Sequence, residues 1–268
     1  MTTTRELRER AGPITMLTAY DAQTARLIDD CGIDILLVGD SMGTEALGYD
    51  STLPVTVEAV ENRTAAVVRG SEEALVVADM PFLSVGVDES ETVRNAGRML
   101  KAAGADAVKL ESGPHTVEIT DQLTHLGIPV MAHLGLTPQH VNQLGGYTRQ
   151  GTTEAAAEEI LSLARAHEEA GAFALVLEHV PANVAAQVTD ALDIPTIGIG
   201  AGGDCDGQVL VISDVLGLSE NAPPFAEQFG DVRAAMTDAI ADYKEAVESG
   251  SFPAAEHSHT EAGLNDLG

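Results

Sequence analysis

Tryptophan is absent from this 268-residue chain, and all aromatic residues together make up 3% of it. The interior must therefore be built from Ala, Val, Leu and Ile. Cysteine is scarce too: Cys31 and Cys205 stand alone, and no CxxC spacing occurs. That argues against a zinc knuckle or a redox pair. Basic residues number 14 against 42 acids, for a formal net charge of −28. Nucleic acid and anionic membrane both call for a basic footprint, so neither is expected as a partner. No apolar run approaches the ~18 residues of a membrane span. The opening MTTTRELRER is polar and lacks the apolar core of a secretory signal. A cytoplasmic location is the expectation.

What is present points to a folded protein. Hydrophobic residues make up 44% of the chain, too many for an acidic disordered tail. The length suits one large domain or two small ones. The surplus of acids then belongs on the surface, as suits high salt, where screening shortens to roughly 3 Å at 1 M and self-repulsion costs little.

Short β-rich apolar runs recur along the chain. They are Thr15–Ala19, Ile35–Gly39, Ala74–Asp79, Ala107–Glu111, Pro129–His133, Phe173–Glu178, Pro195–Gly200 and Val209–Ser213. Near-continuous apolar runs suit parallel strands covered on both faces. Helical patterns fall between them, at Ala22–Asp30, Thr56–Arg69, Glu89–Ala103, Thr116–Leu126, Thr153–Ala170 and Ala182–Ala191. Gly32, Gly70, Gly104, Gly127 and Gly171 stand where helix C-caps belong. The repeated βα unit predicts an α/β fold, a (β/α)8 TIM barrel, with an open doubly wound sheet as the second arrangement that fits. The last two strands lie too close for a full helix between them. Val232–Val247 reads as a closing helix. The expectation is one barrel domain over residues 1–268 with a loosely ordered tail from about Phe252. His257–His259 (HSH) reads as part of a solvated tail, with adventitious metal binding as the other reading.

A barrel carries its active site at the C-terminal ends of its strands. The second strand ends in Gly39, Asp40 and Ser41, the glycine letting the backbone approach a ligand. The third ends in Asp79, and the fourth in Lys109 and Glu111, which share a face. The fifth ends in His133 and the sixth in Glu178. Singly, each has a plainer explanation. The acids cap loops, Lys109 pairs with Glu111, and His133 is a satisfied core histidine. Together they are harder to dismiss, because buried charges must be paired or bind metal. Carboxylates without cysteine suit a hard cation such as Mg²⁺. Such an ion would polarise a 2-oxo acid toward an enolate, with Glu178 as base and Lys109 neutralising charge.

Long motifs in order also resemble the ketopantoate hydroxymethyltransferase family. They include TAYD (Thr18–Asp21), VGDSMG (Val38–Gly43), GYDSTLPVT (Gly48–Thr56), ADMPF (Ala78–Phe82) and VKLESG (Val108–Gly113). Further on come AHLGLTPQ (Ala132–Gln139), GGYTRQG (Gly145–Gly151), LEHVP (Leu177–Pro181), IPTIGIGAG (Ile194–Gly202), DGQVLV (Asp206–Val211) and PAAEHS (Pro253–Ser258). The resemblance implies a barrel of the phosphoenolpyruvate/pyruvate-binding type. It implies transfer of a one-carbon unit from 5,10-methylenetetrahydrofolate, or a related folate, to 3-methyl-2-oxobutanoate in pantothenate and coenzyme A biosynthesis. Asp40 and Asp79 match the family's Mg²⁺ ligands, one ion per subunit, with Glu111 completing the site through water. Asp40, Ser41, Asp79 and Lys109 match its substrate contacts, His133 lies in its pocket motif, and Glu178 matches its proton acceptor. Members are commonly homo-oligomers, often decamers. Two features depart from the pattern: the acidic composition, and His179 where cysteine is common. The competing readings are another Mg²⁺-dependent 2-oxo-acid lyase or mutase on the same barrel, and a non-catalytic metabolite-binding barrel.

Overall fold

The structure is a computed structural model and describes residues 2–261. Among these residues, eight parallel strands close into a barrel in sequence order. They are β1 (Ile14–Thr18), β2 (Ile35–Val38), β3 (Leu75–Asp79), β4 (Ala107–Glu111), β5 (Val130–Gly135), β6 (Ala174–Glu178), β7 (Thr196–Ile199) and β8 (Gly207–Leu210). β8 returns to pair with β1, with Ile14 opposite Gly207. The TIM-barrel expectation holds, and the doubly wound sheet is excluded.

Side-chain parity along the strands explains both the core and the site. Ile35 and Leu37 of β2, Leu75 and Val77 of β3, Ala107 of β4, Met131 of β5 and Ala174 and Val176 of β6 pack in one apolar cluster inside the barrel. Leu7, on the helix Thr4–Arg8, joins this cluster from the N-terminal ends of the strands. Fully burying a side chain of this size contributes about 2 kcal/mol. Two residues further along the same inward face stand Asp79, Lys109, His133 and Glu178. Apolar residues thus fill the lower barrel, and charged residues of the same parity line its upper end.

The helices follow the sequence pattern closely. Ala22–Asp30 and Ala182–Ala191 have the expected bounds, and the other interstrand helices shift by one or two residues. Asp21, Thr56, Asp88 and Thr153 cap helix N-termini through their side chains. Gly32, Gly104, Gly127 and Gly171 adopt positive φ just past helix ends, as C-caps do. Gly70 does not. It is the last residue of Val57–Gly70, and a Cβ there would lie 2.3 Å from the Ala22 carbonyl oxygen. It is glycine because another helix approaches, not because the chain turns.

The eighth strand begins and ends earlier than expected. It starts at Gly207, where a Cβ would meet the Ile14 oxygen at 2.5 Å. It stops before Ile212, whose N–H donates to Thr18 Oγ1 as a short helix begins. An apolar run could not mark a strand that starts on a glycine.

The described chain forms two compact units, one of residues 2–212 with 223–226 and another of 213–222 with 227–261. The first holds the barrel. In the second, the helix Val232–Ser249 starts at Asp231, which accepts from Ala234 N, and ends at Gly250 in a left-handed turn. Arg233 donates to the Leu218 carbonyl and pairs with Glu220. From Phe252 onward a short 3-10 turn, Ala255–His257, forms, while the remainder of the expected tail, 262–268, lies outside the described residues. His257 and His259 are exposed, and His259 contacts Glu261. No helix among the described residues is long and apolar enough to cross a membrane.

Candidate active site

All seven side chains singled out from strand ends line one cavity of about 100 Å³ at the C-terminal end of the barrel. A larger cleft of about 590 Å³ lies among residues that precede strands, and the charged residues lining it are exposed. The smaller cavity, where the charged groups are buried, is therefore the candidate site.

A line of polar contacts crosses four neighbouring strands. Lys109 Nζ lies 2.9 Å from Asp79 Oδ2, its partner in the β3–β4 register. It lies 3.2 Å from His133 Nδ1 on β5. His133 Nε2 in turn lies 3.1 Å from Glu178 Oε2 on β6. Burial pulls the lysine pKa down, but the carboxylates of Asp79, Asp40 and Glu111 outweigh it and drive it above its ordinary value. Lys109 is therefore an ammonium and can only donate. His133 must accept at Nδ1, so in its neutral form the proton sits on Nε2, facing Glu178. Burial, and then Lys109, hold His133 neutral by lowering its pKa against the pull of Glu178. The Nε2 contact lies off the line of a hydrogen bond, so it is a close approach awaiting alignment.

Negative charge is in surplus here. Burial, then the neighbouring Asp79 and Glu111 carboxylates, raises the Asp40 pKa well above the ordinary range. Burial likewise raises Glu111, with Lys109 opposing. Asp79 Oδ1 is buried and has no hydrogen-bond partner. Hard oxygen donors, surplus charge and an unsatisfied carboxylate oxygen fit a divalent cation. Among the described residues, however, no group of three or more His, Cys, Asp or Glu side chains is arranged to hold a metal on protein ligands alone. An ion bound here would therefore need oxygens beyond those of the protein, from water or substrate, to complete its shell.

Ser41 opens the short helix Met42–Glu45, and its Oγ lies 2.8 Å from the hydroxyl of Tyr20. A Cβ on Gly39 would come within 2.8 Å of that Oγ. The space left at Gly39 is taken by Ser41 rather than by a ligand. His179 adopts φ +50°, and its ring packs on Phe225, with centroids 5.4 Å apart.

Two participants escape a search of strand ends. Tyr20 follows β1 and holds Ser41. Gln139 lies in the 3-10 turn Pro138–His140, and its Nε2 donates to Asp40 Oδ2 at 2.9 Å. Both lie within recognisable motifs, TAYD and AHLGLTPQ, but neither residue type announces chemistry alone. Tyr147, in GGYTRQG, has its phenol pKa raised by partial burial and then by Asp40, Glu111 and Glu178, which places it within reach of their charge.

Comparisons with known proteins bear on the fold and on the family. The solved structure of phosphoenolpyruvate phosphomutase from Streptomyces platensis subsp. rosaceus matches 92% of this chain and 86% of its own, with TM-score 0.62 and 16% identity. A 2,3-dimethylmalate lyase of the PEP mutase/isocitrate lyase superfamily matches 98% of this chain and 92% of its own, with TM-score 0.57 and 19% identity. These likenesses concern the fold. In sequence, the chain is 68% identical over 269 residues to the 3-methyl-2-oxobutanoate hydroxymethyltransferase of Haloarcula marismortui, covering 100% of both. It is 52% identical to the protein of the same name from Picosynechococcus sp., covering 94% of this chain and 96% of that one. The family described as ketopantoate hydroxymethyltransferase matches residues 1–255. The chain is an enzyme of the ketopantoate hydroxymethyltransferase family.

Proposed function

We propose that the chain enolises 3-methyl-2-oxobutanoate and adds to it a one-carbon unit from 5,10-methylenetetrahydrofolate. With water consumed, the products are 2-dehydropantoate and tetrahydrofolate, a step toward pantothenate and coenzyme A. The observation that carries this reading is Glu178 at the end of the Asp79–Lys109–His133 line, inside one small cavity. Asp40 and Asp79 would hold one Mg²⁺ per subunit, with Glu111 acting through water. When bound, Mg²⁺ withdraws electron density from the 2-oxo group and so acidifies C3.

The chain's own residues supply the rest. Glu178 is only partly buried, with 18% of its side chain exposed, and takes the C3 proton at Oε2. The His133 Nε2–H lies close to that oxygen and would orient it once the two align. Lys109 offers a fixed positive charge to the developing enolate. Ser41, steadied by Tyr20, offers a hydroxyl to the oxo acid. Leu37, Val176, Ile199 and Val209 line the same cavity, so an isopropyl group finds apolar contact and water is excluded. The reading extends to a cytoplasmic homo-oligomer. Exposed Met236, Ile240, Tyr243 and Val247, spaced three and four apart on one helix, support association.

The test is substrate choice. The purified chain with Mg²⁺, 3-methyl-2-oxobutanoate and 5,10-methylenetetrahydrofolate should form 2-dehydropantoate. Cleavage of a 2-methylisocitrate-like substrate, with no 2-dehydropantoate formed, would instead place the chain among lyases.

A further inference from the structure

Gln139 makes four donor contacts to three strand ends other than its own. Its backbone N–H reaches both oxygens of Glu111, at 3.2 and 3.0 Å. Its side-chain Nε2 donates to Asp40 Oδ2 at 2.9 Å and to the Met80 carbonyl at 3.0 Å. The amide orientation is fixed, because the Met80 carbonyl beside Nε2 can only accept. Both protons on that nitrogen are committed. From the loop after β5, one residue thus binds the ends of β2, β3 and β4.

The chemistry of these contacts is specific. Asp40 and Glu111 are buried carboxylates that repel each other and Asp79. Something must hold them near one another before any ion arrives. Lys109 pairs with Asp79 and makes no hydrogen bond to Asp40 or Glu111. Gln139 supplies neutral donors to both, adding no charge that would compete with a cation. A carboxylate oxygen accepting one such bond keeps a lone pair free for a metal. Glutamate here could not donate and would add another negative charge. Asparagine is one methylene too short to span the same partners.

From this geometry we infer that Gln139 is a positioning residue, which preorganises Asp40 and Glu111 and so sets the affinity of the site for a divalent cation. The side-chain half of the device acts on Asp40, and the backbone half acts on Glu111. Removing an outer partner of this kind costs about 10–100-fold in metal affinity. The inference rests on the divalent-cation reading above.

The experiment is titration of the full chain with Mn²⁺ in the absence of oxo acid and folate, following free Mn²⁺ by electron paramagnetic resonance. Wild type, Gln139→Met and Gln139→Asn are compared, with thermal unfolding of each recorded in parallel. Gln139→Met keeps the bulk and loses the donor, and should bind Mn²⁺ about tenfold or more weakly. Gln139→Asn keeps the donor but not the reach, and should weaken binding comparably. It carries the test if Gln139→Met fails to fold. Unchanged Mn²⁺ affinity in a folded variant overturns the inference while leaving the cation reading intact. Absence of Mn²⁺ binding by wild type overturns both.

Discussion

At the scale of single residues, what distinguishes this site is how differently four carboxylates are treated. Asp79 is neutralised by a direct ammonium contact. Asp40 and Glu111 are buried without one and are driven toward protonation. Glu178 alone keeps some exposure, and its close polar neighbour is the N–H of a neutral histidine. That division supports the proposed roles, proton transfer for Glu178 and binding for the others. Glu178→Gln preserves shape and hydrogen bonding while removing the base. It should reduce turnover by at least about 100-fold, since general bases contribute 10²–10⁴-fold. Mg²⁺ and oxo-acid binding, followed by calorimetry, should stay within a few-fold of wild type. Near-normal turnover would show that the proton is taken elsewhere.

At the scale of elements, the barrel places acids at both ends of its strands for different purposes. At the N-terminal end, Asp34, Asp106 and Asp206 each precede a strand and accept from the backbone N–H of a neighbouring one, at Thr15, Val76 and Thr196. These acids pin strand starts, whereas those at the other end face the cavity. Between helices, His167 of Glu154–Glu169 is buried against Thr120 of Val117–His125, with Nδ1 3.0 Å from its hydroxyl. Burial holds its pKa down to about 4. An unfolded histidine titrates near 6.5, so between these values the unfolded chain binds the extra proton. Stability from this group is therefore complete above about pH 6.5 and is lost as pH falls toward 4, by about 3 kcal/mol at most. Chemical denaturation from pH 7 to 4.5 should show this loss, and His167→Gln should flatten the slope. An equal slope in both proteins would remove His167 as its source.

Legibility follows the same physics. Asp79, Lys109, Glu111, His133 and Glu178 can be found in the sequence because they end apolar strands, and period-two alternation carries the inward face from core to site. Gln139 and Tyr20 lie in loops, where no periodicity says which way a side chain points. Gly70 reads as a cap, and Gly207 falls outside the expected strand, because close packing between elements leaves no local signal.

For the whole molecule, the dominant quantity is a formal charge of −28 on 268 residues. Exposed carboxylates along helices such as Glu154–Glu169 and Val232–Ser249 repel one another unless screened. Raising salt from about 0.1 M to 1 M shortens the screening length from roughly 10 Å to roughly 3 Å. A resulting gain of about 3 kcal/mol would raise Tm by roughly 6–12 °C for a chain of this size. Thermal unfolding in KCl should show that rise, and a salt-independent Tm would refute an acidic surface tuned to high salt. The buried line from Asp79 to Glu178 is shielded from such screening, so its chemistry can be tested separately. The most direct measurement is deuterium exchange at C3 of 3-methyl-2-oxobutanoate in D₂O, with Mg²⁺ and without folate. Wild type should exchange that proton in a Mg²⁺-dependent way, and Glu178→Gln should lose the exchange. No exchange by wild type, or equal exchange by both proteins, would contradict a barrel that enolises its substrate through Glu178.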